Sequence, residues 1–376
     1  MPKKPNIVFI MCDQLRADFL SMHGCPAIPT PNLDQLAAQS TVYSNAISPC
    51  PLCVPARAAL LTGLNPLQSG VLSNHQWLRT DRSEIGYRTW PDVLRGQGYR
   101  TASIGKMHFH PFEAAEGFDE RIISEDKRWP KVHDDYAEFL AQKNMRKFDA
   151  RQHPDYEKNM GAVAYPDSVE TTVDRFVANE TIGFIERQPA DRPFAVMVGF
   201  PSPHCPYDAL PEYVTSVSEE ELPELIDRPD NPTAAEQRFY ENFLTIHRRD
   251  WHALDYRTIT REQRVAIRRQ YAGLIKQIDE EFGRIMQSCK DRGIWDDTVI
   301  IFTSDHGDHV GDRNRVGKGD FYQESIHIPM LVKEAGQKES RRVETPVELQ
   351  QISASIMQAA QAEIPDWWAY APLPHS

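Results

Sequence analysis

Short apolar, β-rich runs recur along the chain at residues 6–11 (N-I-V-F-I-M), 99–104, 194–200 (F-A-V-M-V-G-F), 298–303 (T-V-I-I-F-T) and 326–332 (I-H-I-P-M-L-V). The clearest of them are continuous rather than alternating. That pattern predicts strands of a sheet covered on both faces. Pro329 inside the last run predicts an edge or a bulge there. A second pattern has helical period. Tyr271, Leu274, Ile275, Ile278, Phe282, Ile285 and Met286 fall on one face of a predicted helix over 261–288. Thr260 and Gln263 supply its capping box. Further helices are predicted over 32–39, 167–185 and the stretch V-E-L-Q-Q-I-S-A-S-I-M-Q-A-A at 347–360. The proline- and acid-rich segment 203–235 is expected to wrap the surface. Helices alternating with buried strands predict an α/β fold.

Composition adds bounds. With 376 residues and 40% hydrophobic positions, the chain can bury a large core as one large domain or two smaller ones. A formal charge of −12 does not attract nucleic acid or anionic membranes. A local pocket of Arg, Lys and His can still hold an anionic substrate. The opening M-P-K-K-P-N-I-V-F-I-M-C-D starts like a signal peptide, but its apolar run is short and ends in Cys12 and Asp13, so a buried strand is expected. No apolar run approaches the roughly 20 residues of a membrane span. Cys12, Cys25, Cys50, Cys53, Cys205 and Cys289 are too few for a disulfide framework, which fits a cytoplasmic protein.

The chemistry lies just past the predicted strands. The first runs into Asp13 and Gln14, the second into G-K-M-H with Lys106 and His108, the third into P-S-P-H with His204. The strand at 298–303 runs into S-D-H-G-D-H, with Asp305, His306, Asp308 and His309. Sites in open α/β sheets form at such carboxyl ends. Taken singly, Asp13 could cap a helix and Lys106 or Lys318 could be a solvated lysine. Taken together, these residues predict a site. Asp13, Gln14, Asp305 and His306 are mostly oxygen ligands with one imidazole. This set suits Ca²⁺ or Mg²⁺, and the histidine admits Mn²⁺ or Zn²⁺. Asp308, His309 and Asp312 in the same loop are alternatives, or supports for the ligands.

The stretch C-P-L-C-V-P-A-R at 50–57 has the spacing of a dithiol, which would need a helix starting at Cys50 and would place Pro55 in its early turns. A helix beginning after Cys53 accepts Pro55 in its opening turn, followed by the strongly helical A-R-A-A-L-L. Cys53 then sits at the positive end of that helix, with Arg57 one turn on.

These motifs resemble the sulfatases of the alkaline phosphatase superfamily. The resemblance rests on C-x-P-x-R at Cys53–Arg57 followed by A-A-L-L-T-G, on N-I-V-F-I-M-C-D-Q, P-N-L-D-Q-L-A and G-K-M-H, and on S-D-H-G with G-K-G-D-F-Y-Q-E-S-I-H-I-P. It extends from about residue 6 to 359. It implies a three-layer sandwich around a largely parallel mixed sheet, with a catalytic domain over 1–360 and a short tail over 361–376 where relatives carry a small carboxyl-terminal domain. It implies that Cys53, not Cys50, is oxidised to Cα-formylglycine by a maturation enzyme, and that one hydroxyl of the aldehyde hydrate attacks sulfur. Asp13, Gln14, Asp305 and His306, with residue 53, would hold one divalent cation, Ca²⁺ ahead of Mn²⁺ or Zn²⁺. Arg57 and Lys106 would support the hydrate, His108 would assist its release of sulfate, and His204 and Lys318 would contact sulfate or protonate the leaving oxygen. The implied substrate is a small-molecule sulfate ester. Asp-Gln with Asp-His is more like the choline-sulfatase and phosphonate monoester hydrolase branches, whereas Lys106 and His108 are a pair that the phosphonate branch tends to lack. Phosphonate monoesters or phosphodiesters are therefore the alternative, as is an inactive anion-binding relative. The alcohol pocket is expected around 74–77 and 203–207. Trp367, Trp368 and Tyr370 are expected to pack on the core, or else to pair with another subunit in a homo-oligomer or line the entrance.

Overall fold

The computed structural model describes residues 4–25, 28–249, 254–368 and 370–375. The strands are β1 (Asn6–Asp13), β2 (Thr41–Tyr43), β3 (Ala46–Ile47), β4 (Arg100–Gly105), β5 (Glu120–Ile123), β6 (Phe194–Pro203), β7 (Thr298–Ser304), β8 (His327–Ile328), β9 (Met330–Lys333), β10 (Arg341–Val343) and β11 (Val347–Glu348). Eight form one sheet in the order β10-β2-β9-β7-β1-β6-β4-β5, and β11-β3-β8 form a small second sheet. In the large sheet β9 alone runs against its neighbours. The first apolar run is thus the central strand, parallel to β6 on one side and β7 on the other.

Continuous apolar sequence has the expected consequence: both faces of β1 are buried. Ile7, Phe9 and Met11 join one core with Leu60, Trp90, Leu94, Ile352 and Met357. Val8, Ile10 and Cys12 join the other with Phe176, Tyr271, Ile275, Ile278 and Phe282. Successive side chains point to opposite faces, so one strand feeds two cores and the architecture has three layers. The long helix spans Arg261–Asp291, and its capping box of Thr260 and Gln263 is formed.

Three expectations change. Pro329 does not mark an edge. It separates β8 from β9, which belong to different sheets, and β9 is interior between β2 and β7. A proline ends one ladder where the chain changes sheets. The helix expected over 167–185 starts at Val173, after the short turn Val169–Thr171, because the Thr172 side chain caps it by accepting the Arg175 N–H. The expected surface segment 203–235 is buried over 203–210 and exposed mainly beyond that. Of the tail aromatics, Trp368 is buried in the core that holds Leu60 and Trp90, and Trp367 packs partly against the same core.

β4 and β6 converge closely where the site begins. A Cβ on Gly105 would overlap the Gly199 carbonyl, and one on Gly199 would overlap the Lys106 carbonyl. The Lys106 N–H donates to the Gly199 carbonyl at 2.8 Å. Gly199→Ala should therefore push Lys106 out of place and lower stability by about 1–3 kcal/mol, the range for overpacking. Urea unfolding measures this, and a midpoint equal to that of the parent chain would contradict the close-approach account.

Candidate active site

Asp13 ends β1, and Gln14 follows with a φ of 73°. Such a conformation costs a non-glycine residue about 1–3 kcal/mol and persists only where its surroundings hold it. Here the Gln14 N–H donates to Asp305 Oδ1 at 3.1 Å, and its carbonyl accepts from the Tyr271 hydroxyl at 2.6 Å. The central strand is thereby tied to the loop after β7.

The helix Cys53–Thr62 begins at Cys53 itself, one residue earlier than expected, with Pro55 in its first turn as expected. Leu52 provides no side-chain cap, and the Val54 N–H is taken instead by Asn74 Oδ1 at 3.1 Å. Cys53 lies fully buried at the end of the helix where anions are favoured. Its Sγ is 3.2 Å from His306 Nε2 and 3.7 Å from Asp13 Oδ1. One turn later, Arg57 donates through Nε to Asp305 Oδ2 at 2.9 Å and through Nη1 to the Lys106 carbonyl at 2.6 Å. Lys106 Nζ binds Asp13 Oδ2, and also Asp126 Oδ2 at 2.7 Å.

Every residue expected at the site is brought together. His108 stands near enough to Cys53 to help favour its thiolate, and it lies edge-on to Trp129, with ring centroids 5.1 Å apart. His204 Nδ1 faces its neighbour's carbonyl, Cys205 O, at 2.7 Å, which makes Nδ1 the protonated nitrogen. Its Nε2 accepts from Lys318 Nζ at 2.7 Å, and Lys318 also donates to Gln14 Oε1. Asp308 adjoins the site, but His309 and Asp312 serve the loop. His309 pairs with Asp320 at 2.8 Å, and Asp312 pairs with Arg16 at 2.7 Å and with Arg268.

The charges form a balanced set. Burial opposes ionisation of Cys53, yet Lys318, Lys106 and His306 outweigh it and hold the thiol well below its ordinary range. Burial and Cys53 push the Asp13 carboxyl up, but Lys106, His204 and Arg57 bring it down to about 2. Burial and the neighbouring Asp13 raise Asp305. Burial, then Lys318 and Arg128, depress His204 to about 4, so it is neutral at pH 7.

The donor set fits a cation. One ligand atom each from Asp13, Cys53, Asp305 and His306 lies within 4.8 Å of the others, all fully buried. His306 Nδ1 faces the Gly307 carbonyl at 2.9 Å, which leaves Nε2 as the ligating nitrogen. Asp13 and Asp305 each commit Oδ2 to a protein cation, and Oδ1 of each lies 3.7 Å from His306 Nε2, that of Asp305 also accepting the Gln14 and His306 N–H groups. A second acid and histidine group, Asp13 with Asp126 and His204, is bridged by the Lys106 ammonium between its carboxylates.

Above these groups lies a cleft of about 730 Å³ lined by Asn74, Trp77, Trp129, Phe243, Ile246 and Lys318 among others. The loops expected at 74–77 and 203–207 contribute to it, but the tail aromatics do not. Asp126, Arg128 and Trp129 were not anticipated. They follow β5, whose short E-R-I-I core is only half buried and carries little strand signal. Reading it as a strand would have exposed them, since they too stand beyond a carboxyl end.

A family model described as Sulfatase matches residues 5–362. The chain is 28% identical to an arylsulfatase of Clostridium perfringens, over 96% of this chain and 76% of that protein. It is 30% identical to a choline-sulfatase of Rhizobium meliloti, over 88% of this chain and 62% of that protein. Among solved structures, a phosphonate monoester hydrolase of Agrobacterium radiobacter superposes with a TM-score of 0.82 at 26% identity, covering 98% of this chain and 76% of that one.

The Arg57–Asp305 pair yields a stability prediction. Removing one partner of a buried pair strands the other charge and costs about 3–5 kcal/mol. Arg57→Ala should lose that much in urea unfolding with a chelator present, and a loss below about 1 kcal/mol would show that Asp305 does not depend on Arg57.

Proposed function

Since the chain belongs to the sulfatase family, we propose that it is a metal-dependent sulfuric ester hydrolase whose nucleophile is a formylglycine hydrate made from Cys53. One observation carries this reading: Cys53 Sγ, standing where the hydrate oxygen would be, lies at a helix start against Asp13 and His306, with Lys106, His108 and Lys318 acting on it. Oxidised residue 53 would supply a hydroxyl, and a cation on Asp13, Gln14, Asp305 and His306, Ca²⁺ ahead of Mn²⁺ or Zn²⁺, would draw charge from the sulfate oxygens.

The protein's own residues divide the remaining work. Arg57 and Lys106 fix the carboxylates, so that Oδ1 of each faces the reacting group. His108 is placed to take a proton from the side chain at position 53. Lys318 has three donors and spends two, on His204 Nε2 and Gln14 Oε1. The third is left for a sulfate or leaving oxygen. His204, protonated on Nδ1 and neutral, orients Lys318 and has no proton on Nε2 to give. Lys318 is therefore the better acid of the two. Placement of charge around the transferring group is the expected main source of rate.

Phosphonate monoester or phosphodiester hydrolysis is the second reading. The superposition on a phosphonate monoester hydrolase favours it, and tetrahedral phosphoryl oxygens fit the same donors. An inactive anion-binding relative is the third.

The test uses chain converted by a formylglycine-generating enzyme, with conversion at residue 53 verified by peptide mass. kcat/KM is compared for aryl sulfates, choline sulfate, sulfated sugars, a phosphonate monoester and a phosphodiester. A sulfate ester should lead; a higher value for either phosphorus ester reverses the assignment, and binding without turnover selects the inactive relative. Cys53→Ala should abolish nearly all turnover while remaining folded, and persistent turnover would reject residue 53 as the nucleophile.

A further inference from the structure

Asp308 is fully buried three residues past Asp305, and it has no part in the chemistry above. Its lone pairs are already engaged. Oδ1 accepts the Val310 N–H at 2.9 Å and the Gly317 N–H at 2.8 Å. Oδ2 accepts the Tyr207 hydroxyl at 2.5 Å and the Nε2 amide of Gln14. Among the described residues it does not join the close cluster of Asp13, Cys53, Asp305 and His306 ligand atoms. It instead joins the first strand's Gln14 to the backbone one residue before Lys318.

An amide side chain has a donor end and an acceptor end. With Nε2 on a carboxylate, Oε1 must face the other way, where it accepts from Lys318. The reverse orientation would set oxygen against oxygen at Asp308 and NH₂ against the Lys318 ammonium. Both contacts select the same orientation. A carboxylate at position 14 would meet the Asp308 carboxylate in a buried setting, which is unfavourable for two like charges. We propose that Asp308 is a positioning residue that holds the Gln14 amide with its oxygen toward the reacting group, and that it makes an amide rather than a carboxylate the fitting side chain at position 14. The proposal rests on the reading of Gln14 as a cation ligand.

The two positions are then coupled, and a double-mutant cycle reads the coupling. Asparagine at position 308 has a single acceptor oxygen for donors on both sides. In Asp308→Asn the Gln14 amide can turn its oxygen to the new NH₂ and its own NH₂ toward the cation. In Gln14→Glu the two carboxylates collide. In the double variant the carboxylate introduced at position 14 accepts from the amide introduced at position 308 and again presents oxygen outward.

The experiment titrates Ca²⁺ and Mn²⁺ by calorimetry into the cation-stripped full chain with Cys53 left as a thiol, so the readout does not need turnover. Each single variant should bind at least about tenfold more weakly, and the double should return to within about threefold of the parent. Gln14→Ala is the control for the ligand reading. Unchanged affinity there overturns that reading and the proposal with it. A tenfold loss there, combined with additive losses in the double variant, overturns the proposal alone. Should Asp308→Asn fail to fold, Gln14→Glu remains decisive: affinity equal to or tighter than the parent's for both ions overturns the proposal, and a tenfold loss supports it.

Discussion

Two carboxylates buried beside one another at the ends of neighbouring parallel strands repel unless cations lie against both. Asp13 and Asp305 are in this position, and each has one oxygen answered by a protein cation, Lys106 and Arg57 respectively. Burying a charge is tolerable only where it is paired and hydrogen-bonded. The two cations are themselves linked, because Arg57 also donates to the Lys106 carbonyl. Helix, strand ends and loops are held in register by this exchange of charge, and Asp126 with Arg128 extends it outward.

The backbone is shaped to permit that arrangement. β4 and β6 approach too closely at Gly105 and Gly199 for any side chain. Gln14 takes a left-handed turn, at a cost that its two backbone hydrogen bonds offset. Gly307 plays the same part after β7, since a Cβ there would overlap the Glu324 carbonyl. These distortions occur where strands end, so the regular ladders below are undisturbed while the ends carry the functional groups.

A net charge of −12 is compatible with the proposed anion site, because its cationic groups are shielded from the surface. Lys106, Arg57, His204 and Lys318 are all buried, where screening by salt is weak, and Lys318 also lines the cleft. On the proposed reading, these donors would suit sulfate and phosphoryl oxygens alike. On the same reading, discrimination by the alcohol would fall to the cleft wall, where Trp77, Trp129, Phe243 and Ile246 present apolar surface. Trp77 is also stacked on His110, with ring centroids 4.1 Å apart.

Much of this was legible in the chain itself. Continuous apolar runs identified β1, β6 and β7, because a strand buried on both faces has no polar side to show, and a shorter, mixed run identified β4. The capping box and the 3.6-residue period located the long helix, both being local properties. Residues placed just after those runs gave the candidate site, because parallel strands deliver their carboxyl ends to one edge of the sheet. The sequence motifs also carried the family resemblance. What local pattern could not supply was partnership between distant segments. Asp126 and Arg128 were hidden because β5 is short and half buried, stabilised as a strand by pairing with β4 rather than by its own composition. Pro329 became a switch between sheets, and 203–210 became interior, because the surrounding layers closed over them. Which oxygen of each carboxylate faces the site, and which way the Gln14 amide turns, depends on Lys106, Arg57 and Asp308. Those residues are distant in sequence from the groups they hold, and only the tertiary structure brings them into contact.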